Sequence, residues 1–351
     1  RVLQGATIGA GKMGLAHAAI LNSLPNTRIV AVSETNTLIQ RALRQFAPQI
    51  KVYQNHKLML EKEHLDFVFI TTPSFTHIQL AMDCMDYGCH FFVEKPLAVN
   101  SLEARPLINR IRHYDYINMV GYMMRFVATF SQAKNIINSG VIGPPITFNA
   151  TMYVSQLFKA GKGWRYDRSK SGGGVVISQA SHVIDLLSWY FGYPSHISAE
   201  LLSPYSKQTE DFGHISFKWS NGLMGWLDSS WSVHNHRTLD TSIIVHGLNG
   251  QLIITDDTIR IYLLQSAGGY DEGWTTMRKP DLESLVSIDI GGPHFTRQDQ
   301  HFVDSIQSNS KVDNDVLNAF KTQNVIDAVY KSSDNNGQKQ EIVYGDYDIT
   351  R

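Results

Sequence analysis

The sequence predicts an α/β protein of two domains, a doubly wound parallel sheet (residues 1–122) and an α+β domain with a large, mostly antiparallel open sheet (residues 123–351). Three observations predict this fold class. The chain has 351 residues, more than a single core usually serves. Its first third alternates apolar strand patterns with helical patterns, which is typical of a parallel sheet covered on both faces. Between residues 195 and 290, short strand patterns dominate instead.

The composition narrows the possible functions. Hydrophobic residues make up 43% and charged residues 18%, as in ordinary soluble globular proteins. The formal net charge of -1 gives no field to hold nucleic acid or an anionic membrane. No apolar run approaches the roughly 20 residues of a membrane-spanning helix, and no signal peptide is visible. The two cysteines, Cys84 and Cys89, predict no disulfide framework, so we expect a cytoplasmic protein.

A glycine-rich turn follows the first predicted strand, residues 2–8. Gly9, Gly11 and Gly14 form the pattern G-x-G-x-x-G, and residues 15–24 then have helical composition. In this context Gly9 permits the tight turn, Gly11 leaves room for a pyrophosphate, and Gly14 lets the helix pack close to the strand. The free N–H groups at the helix N-terminus favour phosphate. The pattern therefore predicts a dinucleotide site.

The second predicted strand, residues 28–32, leads to Glu34, close to where this fingerprint expects an acid. A carboxylate there accepts hydrogen bonds from the adenosine ribose and repels a 2′-phosphate, which favours NAD over NADP. NADP is the alternative, because Arg41 and Arg44 follow within two helical turns. Glu34 can also be interpreted as an acid that starts the next helix.

Strands predicted at residues 66–70, 90–93 and 117–121 alternate with helices predicted at residues 75–87 and 101–113. In parallel sheets ligands bind beyond the carboxyl ends of the strands, so Gly9, Glu34, Thr72 and Lys95 are expected to converge there. His77 begins the helix after Thr72, and it either faces the nicotinamide or lies on the helix surface.

Lys95 follows a buried strand, in the run Glu94-Lys95-Pro96. A lysine in this position handles protons readily, because partial desolvation lowers the pKa of an amine. Pro96 fixes its own φ and biases Lys95 toward extended backbone, which holds the direction of the ammonium. The alternative is an ordinary exposed charged pair at a strand end.

These segments together resemble the glucose–fructose oxidoreductase/inositol dehydrogenase (Gfo/Idh/MocA) family. The resemblance rests on G-A-G-K-M-G, V-S-E, T-T-P-S-F-T-H and V-E-K-P in that order, and it continues through G-Y-M-M-R-F and S-G-V-I-G. It implies NAD(P)-dependent oxidation or reduction of a sugar, polyol or related hydroxy compound, and association as a homodimer or homotetramer through the open sheet. The expected cofactor-binding residues are Gly9, Gly11, Lys12, Met13, Gly14, Glu34, Thr71, Thr72, Pro73, His77, Glu94, Lys95 and Arg125.

The second domain is expected to begin with a helix at residues 127–138 and a strand at residues 146–154. A polar, glycine-rich loop then leads into an amphipathic helix at residues 175–191. Six strands follow, at residues 198–202, 213–219, 223–231, 241–246, 251–255 and 259–263, and residues 247–250 mark a hairpin. Two closing helices, at residues 295–308 and 316–332, either return to the first domain or pack on the sheet.

The resemblance also implies the pattern G-G-G-x-x-x-D-x-x-x-H at the start of the amphipathic helix. His182 occupies the histidine position, whereas Ser178 stands where the family has its aspartate. Residues four apart share a helix face, so both positions can point at one substrate. Serine lacks the carboxylate but still hydrogen-bonds a hydroxyl, and Gln179 is the alternative ligand group. His182 can also be interpreted as a satisfied histidine in the domain interface.

The predicted reaction is hydride transfer between nicotinamide C4 and a secondary alcohol carbon, with the substrate between the domains. His182 is the first candidate for the base, and Lys95 stabilises the developing alkoxide. Since no aspartate stands beside Lys95, the reverse assignment stays open. The expected substrate-binding residues are Lys95, Tyr122, Trp164, Arg165, Ser178, Gln179, His182 and Trp231.

Two further functions stay open. Ser178 in the aspartate position is compatible with a dinucleotide-binding regulator that has no turnover. An enzyme that uses NAD transiently to cleave a glycosidic bond is the second alternative. His234 and His236 share a face if they lie on a strand, but no third ligand is suggested, so no metal site is expected.

Overall fold

The computed structural model describes residues 1–345, and the chain forms two compact units. The first unit contains Arg1–Met123 and Leu285–Phe320. The second contains Met124–Ser284 and the chain from Lys321 onward. The sequence left open where the closing helices pack, and the helix Pro293–Ser308 lies within the first unit.

The first unit is built on six parallel strands, in the order β3-β2-β1-β4-β5-β6. The strands are β1 (Leu3–Ile8), β2 (Thr27–Ser33), β3 (Lys51–Tyr53), β4 (Phe67–Ile70), β5 (His90–Val93) and β6 (Asn118–Val120). The helices are α1 (Lys12–Ser23), α2 (Thr37–Phe46), α3 (His56–Lys62), α4 (His77–Asp86) and α5 (Ser101–Ile111). All four residues of β4 are fully buried, as expected for a strand covered on both faces. The predicted doubly wound sheet is confirmed.

The second unit is built on nine strands, in the order β14-β13-β12-β11-β7-β10-β9-β8-β15. Only the pair β7 and β10 is parallel among the named strands of this sheet, so the predicted mostly antiparallel sheet is also confirmed. Its strands are β7 (Pro145–Tyr153), β8 (His196–Leu202), β9 (Phe212–Lys218), β10 (Met224–Ser230), β11 (Asp240–Gly247), β12 (Gly250–Thr255), β13 (Thr258–Leu263), β14 (Gly273–Arg278) and β15 (Gln340–Glu341).

The remaining helices follow β6 in the chain. They are α6 (Ala128–Ser139), α7 (Arg168–Ser171), α8 (Ser181–Phe191), α9 (Lys279–Leu282), α10 (Pro293–Ser308, in the first unit) and α11 (Val316–Asp334). The predicted hairpin is confirmed, because β11 ends at Gly247 and pairs antiparallel with β12. Within the part of the chain that the structure describes, no helix is both long enough and apolar enough to cross a membrane.

Candidate active site

The glycine turn between β1 and α1 is compact because its glycines contact main-chain atoms. Gly9 has a φ of 95°, a left-handed value that favours glycine. A Cβ on Gly14 would lie 2.1 Å from the carbonyl oxygen of Gly9, so only glycine lets α1 approach the turn. Around Gly11, no heavy atom of the described residues outside its chain neighbours comes within 4 Å of an added Cβ. The turn therefore leaves space at the N-terminus of α1, where a pyrophosphate fits.

Glu34 stands beside this turn. Its Oε2 accepts a hydrogen bond from the N–H of Ala10, and its Oε1 accepts one from the N–H of Asn36, both at 2.8 Å. The buried side chain of Gln40 donates to the carbonyl oxygen of Glu34 at 2.7 Å. These three bonds fix the acid next to the glycine turn, as a ribose acceptor requires. Lys12 is exposed and Met13 is half-buried in the first turn of α1.

The arginines that suggested NADP lie on α2. The Nη2 of Arg44 donates to the side chain of Gln40 at 3.3 Å and to the carbonyl oxygen of Val52 at 3.4 Å. Arg41 is exposed. Arg44 is therefore directed at β3 and at the residue that supports Glu34, which agrees with NAD rather than NADP.

Thr71 and His77 tie together the loops at the carboxyl edge of the sheet. The Oγ1 of Thr71 donates to the carbonyl oxygen of Gly9 at 3.0 Å. The ring nitrogens of His77 lie 2.8 Å from the carbonyl oxygens of Thr72 and Pro96. His77 is buried rather than on the helix surface, and burial lowers the pKa of its imidazole. The ring therefore braces the two loops. Pro73 precedes the short 3₁₀ turn Ser74–Thr76.

Lys95 and Glu94 directly follow β5. The main-chain N–H of Glu94 donates to the carbonyl oxygen of Ile70 at 2.9 Å, which extends the parallel ladder. The N–H of Lys95 donates to Oε2 of Glu94 at 3.2 Å. The peptide bond between Lys95 and Pro96 is cis, which the sequence did not predict. The two hydrogen bonds hold the main chain of Lys95 at the same edge as the glycine turn.

A buried cluster behind Glu94 was missed by the sequence reading. Nε2 of His17 lies 2.9 Å from Oε1 of Glu94, and Nδ1 lies 2.8 Å from Oδ2 of Asp299. His17 and Asp299 are completely buried. Burial alone would lower the pKa of His17, but the charges and hydrogen bonds of Asp299 and Glu94 raise it to about 10. The two carboxylates therefore favour the protonated form of the imidazole.

In the second unit, a buried carboxylate organises the glycine-rich loop. Glu210 accepts hydrogen bonds from the N–H groups of Gly174 and Val176 and from the hydroxyl of Tyr330, each at 2.9 Å. A Cβ on Gly174 would lie 2.1 Å from the carbonyl oxygen of Glu210, and one on Gly173 would lie 1.9 Å from the Tyr330 hydroxyl. Positions 173 and 174 are therefore glycines because Tyr330 and Glu210 pack directly against their main chain.

The helix after this loop begins with a π-helical turn, Val176–Ala180, and continues as α8. Such turns are rare and occur frequently at functional sites. Ser178 and Gln179 lie in the turn and are half-buried, whereas His182 is buried at the start of α8. The Oε1 atom of Gln179 is buried without a hydrogen-bond partner among the described residues. An unsatisfied buried amide oxygen is costly, which is compatible with a ligand-facing role.

Arg125 is committed to an ion pair inside the second unit. Its Nε and Nη2 donate to the two carboxylate oxygens of Asp185 at 2.7 and 2.6 Å, and both side chains are buried. The guanidinium also lies 5.4 Å from the ring centroid of Trp189. This ion pair fixes the guanidinium, and cofactor binding by Arg125 stays a prediction.

The remaining expected substrate residues occupy different surroundings. The guanidinium of Arg165 stacks 4.8 Å from the ring centroid of the half-buried Trp164. Trp231 is buried, and its indole N–H donates to Asp211 at 2.9 Å. The ring of Tyr166 lies 5.7 Å from Trp231, which joins the 164–166 turn to the end of β10. Tyr122 is buried in the first unit.

His234 and His236 do not lie on a strand, contrary to the interpretation from the sequence. Asn235 between them has a φ of 70°, and the segment lies between the end of β10 and the start of β11. His234 stacks on Phe158. Among the described residues, no group of three or more His, Cys, Asp or Glu side chains is arranged to hold a metal ion.

Family models match two successive segments of the chain. Residues 3–122 match the oxidoreductase family with an NAD-binding Rossmann fold, and residues 130–253 match the GFO/IDH/MocA C-terminal domain. The chain belongs to the GFO/IDH/MocA family of oxidoreductases. Membership confirms the resemblance seen in the sequence, and it identifies NAD as the cofactor of the first unit. The glycine turn and Glu34 fit that cofactor by their own geometry.

Individual relatives are distant. The chain is 25% identical to scyllo-inositol 2-dehydrogenase (NAD(+)) of Bacillus subtilis over 74% of each protein. It is 22% identical to levoglucosan dehydrogenase of Pseudarthrobacter phenanthrenivorans, covering 70% of this chain and 72% of that protein. A solved levoglucosan dehydrogenase in complex with NADH and levoglucosan superimposes with a TM-score of 0.87 at 19% identity, covering 98% of this chain and 100% of the other.

Proposed function

We propose that this oxidoreductase transfers a hydride between nicotinamide C4 of NAD and a secondary alcohol carbon of a sugar or polyol. One observation carries the proposal: the main chain of Lys95 is fixed at the sheet edge that also holds the glycine turn and Glu34. We propose that the ammonium of Lys95, which extends from this edge, acts on the reacting hydroxyl. The names of the relatives, an inositol dehydrogenase and a levoglucosan dehydrogenase, support a polyhydroxylated substrate.

The roles of the two catalytic groups follow from their chemistry. Loss of hydride from a carbinol carbon requires loss of the hydroxyl proton, so a base is needed within hydrogen-bond reach. His182 is proposed as that base, because an imidazole exchanges protons near neutral pH. Lys95 is proposed to stabilise the negative charge that develops on oxygen. Ser178 and Gln179 are proposed to bind neighbouring hydroxyls, and Trp164 and Arg165 to wall the substrate.

Lys95→Met tests the central assignment. The variant removes the ammonium but retains a side chain of similar length, so NAD affinity should change by less than about twofold while kcat falls by about 10²-fold or more. NADH formation is measured with inositols, anhydrosugars and aldoses, and NAD affinity by calorimetry. Near-normal kcat would refute the role of Lys95. Tight NAD binding without NADH formation from any of these compounds would identify a regulator instead.

His182→Asn separates the base from the electrostatic group. If His182 is the base, the variant loses the acidic limb of the pH–rate profile of kcat, whereas Lys95→Arg keeps that limb because a positive charge is retained. Loss of the limb in Lys95→Arg and its persistence in His182→Asn would exchange the two roles. Formation of a product with a cleaved glycosidic bond and no net NADH would show that the protein is an NAD-dependent glycosidase and not a dehydrogenase.

We further propose that the protein associates as a homodimer or homotetramer in the cytoplasm. Met224 and Trp226 project from one face of the nine-stranded sheet and are 53% and 43% exposed. Large apolar side chains on one sheet face favour association with a second copy. Cys84 and Cys89 are free, buried thiols, which is compatible with a reducing compartment.

A further inference from the structure

His17, Glu94 and Asp299 form a largely buried cluster. Of the three, only Glu94 was expected to contact the cofactor. The cluster joins three separate parts of the first unit: α1, the segment after β5 and α10. Both nitrogens of His17 are directed at carboxylates, and Nδ1 lies between the two oxygens of Asp299, at 2.9 and 2.8 Å. An imidazolium has two N–H donors, and in this geometry both of them have a carboxylate acceptor.

Three aromatic rings also surround His17. The rings of Phe69 on β4, Phe92 on β5 and Phe295 on α10 lie 5.2, 5.2 and 6.2 Å from the imidazole centroid. The charged groups that face it from these elements are Asp299 and Glu94, and Lys95 is the next residue along the chain. Aromatic walls exclude water, so the two carboxylates act on the imidazole with little screening.

The position of Glu94 depends on this cluster. One carboxylate oxygen receives His17, and the other receives the main-chain N–H of Lys95. An ionised carboxylate has about four acceptor sites, so Glu94 accepts both hydrogen bonds at once. A Cβ on Gly121 would lie 2.9 Å from the ring of Phe92 and 3.2 Å from Oε2 of Glu94, so glycine leaves room for both side chains.

We propose that His17 and Asp299 are positioning residues of the dehydrogenase site. Asp299 orients His17, His17 holds Glu94, and Glu94 fixes the main chain from which the Lys95 ammonium extends. This inference rests on the proposed function, because it assigns Lys95 to the reaction. It adds His17 and Asp299, which act on the reacting atoms only indirectly, through their contacts with Glu94.

Asp299→Asn tests the chain of contacts. The amide is isosteric with the carboxylate but uncharged, so His17 loses its stronger partner and its hold on Glu94 weakens. We expect kcat to fall at least about tenfold at pH 7 while KM for the polyol changes less than about threefold, since the effect is on orientation rather than substrate contact. A new alkaline limb should appear in the pH profile of kcat, because His17 then loses its proton within the assay range. A merely structural residue would not add that limb.

Asp83→Asn is the matched control. Asp83 is also a buried aspartate of the first unit that pairs with a histidine, His56, at 2.7 Å. The Asp83→Asn substitution should lower the midpoint of thermal unfolding but leave kcat and its pH profile unchanged. If Asp299→Asn behaves in the same way as this control, the cluster is only structural and the proposal is overturned.

A second measurement keeps the inference testable if Asp299→Asn does not fold or if no substrate is found. In the wild-type holoprotein with ¹³Cε1-labelled histidine, the signal of His17, assigned by its loss in His17→Gln, should keep the protonated chemical shift from pH 6 to pH 9. Titration of that signal near the pH of an ordinary histidine would overturn the proposal. Absence of turnover with a protonated His17 would instead defeat the proposed function, and with it the assignment of this cluster to a dehydrogenase site.

Discussion

Two buried histidines show that the partners of an imidazole decide whether its pKa rises or falls. His17 and His77 are both buried in the first unit. His77 faces two main-chain carbonyls, and burial lowers its pKa. His17 faces two carboxylates, which overcome the effect of burial and raise its pKa to about 10. Carbonyl dipoles do not compensate a buried positive charge as ionised carboxylates do.

The raised pKa of His17 gives stability a defined dependence on pH. Since the folded pKa lies above the ordinary value of 6.5, the contribution is fully present below pH 6.5 and is lost as the pH rises toward 10. The free energy of unfolding of wild type should therefore fall relative to that of His17→Gln by up to about 1.4 kcal/mol per pH unit in this window. Urea unfolding of both proteins at several pH values measures the difference. A difference that stays constant from pH 6.5 to pH 10 would contradict the raised pKa.

At the scale of elements, Glu210, which lies just before β9, holds the start of the π-helical turn before α8. Its carboxylate receives two main-chain N–H groups and the Tyr330 hydroxyl. Glu210→Gln replaces one acceptor oxygen by a donor, which faces another donor. We expect the free energy of unfolding to fall by about 2 kcal/mol and kcat/KM to fall while NAD affinity is kept, because the affected loop is in the second unit. Calorimetric NAD titration and steady-state kinetics separate the two effects. Loss of NAD binding would show that the effect is not local.

The sequence predicted those elements whose signal is local. The fully apolar β4, the glycine turn and the hairpin after β11 each follow from a few adjacent residues. In contrast, β14 alternates half-buried and exposed residues without a buried face, so it leaves no apolar pattern. The π-helical turn at Val176–Ala180 depends on the packing of Glu210 and Tyr330, which are remote in sequence.

The residues of the candidate site likewise include some that the sequence predicted and some that it did not. Gly9, Glu34 and Lys95 follow strands directly, so their common edge was predictable from the topology of a parallel sheet. His17 was missed although it occupies the buried stripe of α1 with Gly14, Ile20 and Leu21. A polar residue in an apolar stripe is the signal that marks such a position. Its partner Asp299 is 282 residues away, and no local pattern connects the two.

At the scale of the whole molecule, the exposed sheet face predicts how copies of the chain associate. Along β10 the inward Gly225 and Leu227 are buried, whereas the outward Met224 and Trp226 are exposed. Buried tryptophans at the centre of an interface commonly contribute about 2 kcal/mol or more. Trp226→Lys should therefore weaken self-association by at least about tenfold, while Phe46→Lys, at an exposed phenylalanine on α2, should leave it unchanged. Sedimentation velocity over a concentration series measures both. A wild-type protein that sediments as a monomer at every concentration would show that this face has another partner or none, without affecting the assignments of Lys95 and His17.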